Sequence, residues 1–250
     1  LVVTGAHLVE SMGLTKKEIL NDGFKIHYEI EMFTDQEDTG ASMVRSFAKV
    51  AEKVTYCLED AQPDLILAGF DIGANLAVTI AGAHMNIPVA HIQGGEVTGT
   101  IDESIRHAMT KFSHYHFASN QDAVERIIKL GEIPENIFDV GCPSIDAILN
   151  TQDDPEILKR FDLIDKEYFI LLQHPVTSEI DKSKEQIQIT ISSIKKSKIN
   201  TLIILPNNDA GFSKIIKELK GSKIQYVESL NISDYINLLK RSSGANWKLK

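Results

Sequence analysis

Cysteine is scarce, with only Cys57 and Cys142 in a chain of 250 residues. Neither sits in a Cys-x-x-Cys pair, so neither a disulfide framework nor a thiolate metal site is indicated. Both are expected to be small buried residues of a reducing compartment. Long apolar runs are missing too. None approaches the roughly 20 residues that cross a bilayer, and Leu1-Val2-Val3-Thr4-Gly5 lacks the basic flank and apolar stretch of a secretory signal. A soluble, cytoplasmic protein with no membrane partner is the expectation. Basic charge is also short: 26 Lys and Arg stand against 35 Asp and Glu, a net charge of −9. That balance repels nucleic acid and anionic lipid in general, while leaving room for a local basic pocket that holds a phosphate. There is no Gly-x-Gly-x-x-Gly fingerprint and no Walker loop. Gly69-Phe70-Asp71-Ile72-Gly73 is a single weak echo of the former, so neither NAD nor ATP nor any other cofactor is expected.

What the chain does have is alternation. Short β-branched, apolar runs (Phe24–Ile30, Asp64–Gly69, Val89–Ile92, Tyr115–Ala118, Tyr168–Leu172, Thr201–Leu205, Lys223–Val227) are separated by longer helical patterns. The helical patterns are Gly40–Ala61, Ala74–Met85, Gln121–Leu130, Lys182–Lys195 and Gly211–Leu219. In the first of them Met43, Phe47, Val50, Val54 and Leu58 recur at helical spacing, the stripe of a half-buried helix. Strand and helix in turn predict βαβ units, an α/β fold with parallel sheets. The polar stretch Thr151-Gln152-Asp153-Asp154-Pro155 reads as a linker, dividing residues 1–150 from residues 151–250. Lys195–Lys198 is expected to be a solvated helix end.

The densest polar cluster runs from His91-Ile92-Gln93-Gly94-Gly95-Glu96 to Thr100-Ile101-Asp102-Glu103-Ser104-Ile105-Arg106-His107. A strand ends at His91, a glycine pair offers close backbone approach to a ligand, and a helix starts near Thr100. Ligands of open parallel sheets sit beyond the carboxyl ends of strands, so a site belongs here. Thr100 and Glu103 have the spacing of a capping box. Asp102 then falls in the first helical turn, where the helix end favours a negative side chain, with Arg106 one turn later on the same face. Such a carboxylate suits base or cation-stabilising work. The plainer reading, that Asp102 and Glu103 only cap a helix, is equally open.

Asp71 follows another strand, Leu65–Phe70, and so lies on the same rim as His91; an N-cap for the next helix is the competing role. His174 follows Phe169-Ile170-Leu171-Leu172-Gln173, and Pro206-Asn207-Asn208-Asp209-Ala210-Gly211 holds the equivalent position one unit later. His107, His114 and His116 invite a metal reading that His91 could join. The helical His-x-x-x-His pair is absent, and no metal is expected.

At this point the sequence resembles a known family. His91 to His107, the continuation Ala108-Met109-Thr110-Lys111-Phe112-Ser113-His114-Tyr115-His116-Phe117, Gly141-Cys142-Pro143-Ser144, Gln173-His174-Pro175-Val176-Thr177 and Pro206 to Gly211 are similar to the motifs of hydrolysing UDP-N-acetylglucosamine 2-epimerases. They stand in family order over nearly the whole chain, and the combination is specific. The resemblance implies two Rossmann-like lobes of glycosyltransferase-B type with UDP in the cleft. It also implies conversion of UDP-N-acetylglucosamine, or a UDP-diacetamido relative, to the free 2-epimer sugar plus UDP. The product pathway, sialic or legionaminic-type sugar synthesis, stays open.

Carried onto this chain, the family pattern makes Asp71 and Asp102 the acids of proton transfer or cation stabilisation. His174 assists UDP, and Asn207 contacts it from the second lobe. His91 and His107 become sugar-side or supporting residues, and Arg106, Ser242 and Ser243 join the set expected to bind substrate. A third acid of many members falls at Gln93, which cannot titrate, and Glu96 is expected to compensate. A UDP-sugar is the expected partner, with a homo-oligomer at full length.

Two departures bear on activity. Members begin with an earlier strand and basic turn, and they continue into a Gly-Asn-Ser-Ser-type loop. The first lobe is therefore expected to lack its first strand and the second to be incomplete, with weak or no turnover. Ala245 to Lys250 can be back-translated so that one deleted base gives Ala-Ile-Gly-Asn-Ser-Ser, which points to a frameshift near Gly244. The alternative readings are a glycosyltransferase of the same architecture and a non-catalytic sugar-nucleotide-binding module.

Overall fold

The computed structural model describes residues 1–33, 38–70, 73–206 and 209–248. Along the chain come β1 (Val2–Thr4), α1 (Lys16–Asn21), β2 (Tyr28–Ile30), α2 (Gly40–Ala61), β3 (Ile66–Gly69), α3 (Gly73–His84), β4 (Val89–Ile92), α4 (Ile101–Phe112), β5 (Tyr115–Ala118), α5 (Gln121–Lys129), β6 (Ile137–Asp139) and α6 (Pro143–Asn150). They are followed by α7 (Ile157–Arg160), β7 (Tyr168–Gln173), α8 (Ser183–Ser197), β8 (Asn200–Ile204), α9 (Phe212–Gly221), β9 (Tyr226–Val227), α10 (Ile232–Arg241) and β10 (Gly244–Lys248). Two compact units result. One comprises Leu1–Gly5, Phe24–Gln36 and Ala41–Ala147; the other comprises Ala6–Gly23, Glu37–Gly40 and Ile148–Lys250.

In the first unit the strands pair in parallel, in the order β3-β4-β5-β6, with β1 and β2 forming a separate parallel pair. Each strand is followed by a helix because a parallel partner needs a crossover. The register makes Ala68, His91 and His116 direct neighbours on one face. That face packs on helices: Ile66, Ala68 and Val89 join Val50, Val54 and Leu58 of α2, Ala74, Ala77 and Ala81 of α3, and Met109 of α4 in one core. A smaller core gathers Ala118, Ala123 and Ile127 under α5. The opposite face carries exposed Leu67, Tyr115 and Phe138.

The second unit is a parallel sheet in the order β10-β7-β8-β9. Its strands are nearly continuous apolar runs because both faces are covered. Tyr168, Ile170, Leu202 and Ile204 pack one way onto Ile157 and Leu238, while Leu171, Ile203 and Leu205 pack the other way onto Ile187, Ile191, Ile215 and Leu219. The expected three strands gain a fourth in β10, paired with β7 from Gly244↔Phe169 to Lys248↔Gln173. Both units are α/β with parallel sheets, as the alternation predicts. No described helix is long and apolar enough to cross a membrane. The cysteines differ slightly from expectation, since Cys57 and Cys142 are half-buried rather than buried.

Candidate active site

In the first unit the polar cluster forms a tight knot around the tips of β4 and β5. His91, at the end of β4, is fully buried, with Nδ1 3.2 Å from Thr110 Oγ1. The same hydroxyl donates to the Arg106 carbonyl at 3.2 Å. Burial, with smaller contributions from His116, Arg106 and His107, pushes the His91 imidazole down to about 3, so the ring is neutral near pH 7. Its neighbour across the strands, His116, is also buried and lies 3.4 Å from Glu132, which Lys111 pairs at 2.5 Å. Burial lowers His116 against the opposing pull of Glu132. His114 turns away, accepting the Val89 N–H at 3.2 Å. Among the described residues no group of His, Cys, Asp or Glu is arranged to hold a metal ion.

The glycine pair departs from its expected use. A Cβ on Gly94 would stand 2.9 Å from His91 Nδ1 and 3.1 Å from Thr110 Oγ1. On Gly95, at φ +83°, it would stand 2.5 Å from the Ala123 carbonyl oxygen. Close approach is needed here for protein atoms of β4, α4 and α5, so packing explains both glycines without a ligand. Just before them Gln93 takes a left-handed φ of 59°, its N–H donates to the Phe117 carbonyl at 2.8 Å, and its Nε2 donates to Cys142 Sγ at 3.1 Å.

Glu96 is pinned at the tip of β5. Its Oε1 accepts from the Ser119 hydroxyl and, at 2.9 Å, from Asn120 Nδ2, while Asn120 Oδ1 caps α5 by accepting the Ala123 N–H at 2.9 Å. The buried Arg106 guanidinium donates to the Glu96 carbonyl at 2.8 Å, and Arg126 reaches the Gly95 carbonyl. Arg106 thus anchors the loop from behind.

Asp102 lies in the first turn of α4, as expected, and its Oδ2 accepts the Thr100 hydroxyl at 3.0 Å. The predicted capping box does not form. Thr100 makes no side-chain cap bond, because its hydroxyl turns to Asp102 instead. Glu103 reaches further back, accepting the N–H groups of Thr98 at 2.9 Å and Gly99 at 2.8 Å, which hold its carboxyl below the usual range. His107 Nε2 is 4.0 Å from Glu103, and its Nδ1 is buried without a hydrogen-bond partner.

In the second unit half-buried His174 follows the carboxyl end of β7, with Gln173 held beside it by Thr190 Oγ1 at 2.7 Å. Ser242 and Ser243, expected to bind substrate, lie elsewhere in this unit. They precede β10, and its register with β7 puts them at the amino-terminal ends of the strands, away from the rim where ligands of parallel sheets sit. Their hydroxyls donate to backbone carbonyls, Ser242 to Leu239 at 2.9 Å and Ser243 to Lys166. Asp71 and Asn207 fall outside the described residues.

The structure adds residues that sequence reasoning missed. Thr110, Ser119, Asn120 and Glu132 hold His91, Glu96 and His116. Asn120 ahead of a helical pattern was a readable N-cap signal; the others carry none.

Comparison with known proteins bears on this knot. The sequence profile described as UDP-N-acetylglucosamine 2-epimerase matches residues 1–244. The UDP-N,N′-diacetylbacillosamine 2-epimerase (hydrolyzing) of Legionella pneumophila is 34% identical over 97% of this chain and 66% of its own length. The UDP-N-acetylglucosamine 2-epimerase of Neisseria meningitidis is 29% identical over 97% of this chain and 64% of its own. The chain thus spans about two thirds of the length of these relatives. Among solved structures, the Methanocaldococcus jannaschii UDP-GlcNAc 2-epimerase in complex with UDP-GlcNAc and UDP superposes with a TM-score of 0.74 at 16% identity, covering 98% of this chain and 77% of that one. The Neisseria meningitidis enzyme bound to UDP-GlcNAc gives 0.72 at 17%, covering 96% and 75%.

Proposed function

Because the chain belongs to the UDP-N-acetylglucosamine 2-epimerase family, we propose that it acts as a hydrolysing 2-epimerase. Its substrate is UDP-N-acetylglucosamine or a UDP-diacetamido relative, and its products are the free 2-epimer sugar and UDP. The observation that carries the reading is the loop from Gln93 to Asp102, which holds two acids, Glu96 and Asp102, beyond the carboxyl end of a parallel strand. The names of the Legionella and Neisseria relatives support the choice of sugar class.

The chemistry divides into elimination and hydration. A C2–H with no adjacent carbonyl is a poor acid, so loss of UDP runs ahead of proton removal and leaves cation-like charge at C1. The C1–O bond breaks with its electron pair passing to UDP, and a carboxylate takes the C2 proton, giving a glycal. Water then adds hydroxyl at C1, and a proton returns to C2 from the opposite face. Carboxylates supply the base and stabilise the charge, and hydrogen-bond donors stabilise the departing diphosphate.

In this reading Asp71 and Asp102 are the principal acids and Glu96 a third. His174 assists UDP departure, Asn207 contacts the nucleotide, and Gln93 and His107 hydrogen-bond the sugar. His91 is sealed from solvent and neutral, so with Arg106 it works by holding the loop. The lobes divide near residue 150, ahead of the β7–β10 sheet, and a homo-oligomer is the working form. Incubation of the chain, extended to the full length of its relatives, with each UDP-sugar and no acceptor, followed by product analysis, tests the proposal. Free 2-epimer and UDP support it; intact UDP-sugar, or release that needs an acceptor, overturns it.

A further inference from the structure

Two buried imidazoles and a half-buried carboxylate line up in the first unit behind the candidate loop. Glu132, which follows α5, offers two oxygens. Its Oε1 takes the Lys111 ammonium at 2.5 Å, and its Oε2 lies 3.4 Å from His116 Nε2. A carboxylate held this way only accepts, so a neutral His116 carries its proton on Nε2 and presents a lone pair at Nδ1. That Nδ1 is buried without a hydrogen-bond partner. So is the Nε2 of His91, the residue directly opposite on the neighbouring strand. Burial keeps both rings neutral near pH 7, and His116 weighs more on His91 than Arg106 or His107 does.

Adjacent strands hold such a facing pair roughly 4.8 Å apart, too far for a direct bond and within the span of one bridging water. Native structures seldom leave buried nitrogens unpaired. With His116 Nδ1 an acceptor, the bridge takes its proton from His91 Nε2. A water that gave both its protons to the rings would leave its own oxygen without a donor. His91 Nδ1 is then free to accept from Thr110. The Thr110 hydroxyl stands 3.2 Å from both His91 Nδ1 and the Arg106 carbonyl, the arrangement of one proton shared by two acceptors.

We propose that Glu132 is a positioning residue, which sets the direction of a hydrogen-bond chain running through His116 and His91 to Thr110 and so holds the loop that carries Glu96 and Asp102. Both ends of the chain fasten on α4, at Lys111 and Thr110. The chain ties β4, β5 and α4 together against Gly94, where a Cβ would stand 2.9 Å from His91 Nδ1. From there the Arg106 guanidinium reaches the Glu96 carbonyl. The part Glu132 plays in turnover rests on the epimerase reading; the direction of the chain does not.

The test is nitrogen-15 NMR of the imidazoles, in which couplings to the carbon-bound protons show which ring nitrogen carries hydrogen. The unaltered chain is expected to show Nε2–H for both His116 and His91. In Glu132→Gln the Lys111 ammonium keeps the side-chain carbonyl, so the amide N–H faces His116 and turns it to Nδ1–H. His91 is expected to follow. His114, whose Nδ1 accepts the Val89 N–H, should stay Nε2–H throughout as the internal control. Nδ1–H on either ring of the unaltered chain overturns the proposal. So does His116 turning without His91, or with His107 in its place. Should Glu132→Gln not fold, Glu132→Ala decides: an Nδ1–H signal at both rings supports the proposal, and its absence from either overturns it. In the chain extended to the full length of its relatives, Glu132→Gln is expected to lower kcat about tenfold and leave KM within about twofold, since no substrate contact is lost. An unchanged kcat overturns the positioning role. If the unaltered enzyme of that length turns over neither sugar, the epimerase reading fails and the tautomers alone decide.

Discussion

Thr110 Oγ1 stands 3.2 Å from the Nδ1 of His91 and donates its own proton to the Arg106 carbonyl. The hydroxyl thus lies within reach of both groups, and the buried Nε2 of His91 has no hydrogen-bond partner. This pair forms the floor on which Gly94 turns. The chain that leads to Glu96 and Asp102 is thus positioned by a contact between β4 and α4 rather than by its own local sequence.

Removing the hydroxyl should expose that dependence. Thr110→Val leaves the buried His91 Nδ1 without a hydrogen-bond partner and is expected to destabilise the fold by about 1–3 kcal/mol. Thr110→Ser, which keeps the oxygen, is expected to lose much less. Urea unfolding of the two variants measures the difference. Equal losses would mean that the methyl group, and not the hydrogen bond, matters.

The glycines make a paired prediction. Gly95 and Gly99 both hold left-handed φ, +83° and +70°, but only Gly95 faces protein atoms within 4 Å. Gly99→Ala is expected to lose about 1–2 kcal/mol from backbone conformation alone. Gly95→Ala adds overpacking of about 1–3 kcal/mol against Ala123. Similar unfolding midpoints for the two variants would show that the close approach at Gly95 relaxes freely.

The buried imidazoles set a pH dependence. His91 in the folded chain takes a proton only near 3, whereas an exposed histidine in the unfolded chain takes one near 6.5. Between those values the unfolded state binds more protons, so stability rises with pH and is lost on acidification from about 6.5 towards 3. His116, lowered in the same direction, adds to the effect. The carbon-bound ring protons of His91 are expected to show no titration between pH 8 and 5 by NMR. A midpoint near 6.5 would contradict its sealed environment.

How much of this was legible in the sequence differs by feature. β4 and β5 appear with the expected limits because each is a short apolar run bounded by breaking residues, and α2 matches because its apolar stripe is long. β6 was missed, since Ile137–Asp139 has only three residues and mixed exposure. The start of α10 was missed although Asn231 caps it in the usual way, accepting the Asp234 N–H at 2.8 Å. The site was readable in its residues but not in its wiring. Glu103 sits at capping-box spacing, yet Thr98 and Gly99 claim it once the loop turns back. Nothing local to His116 announces Glu132, nor does anything near Glu96 announce Ser119. Those partners meet only when β4, β5 and α5 come together, which no periodicity records.

The most direct test is turnover in deuterium oxide. The chain extended to the full length of its relatives, incubated with UDP-N-acetylglucosamine and separately with the diacetamido relative, is expected to release UDP and a free 2-epimer sugar carrying solvent deuterium at C2. Asp102→Asn should retain UDP binding by calorimetry while losing that product. A 2-epimer without deuterium at C2, or Asp102→Asn forming product at the unaltered rate, would contradict the account.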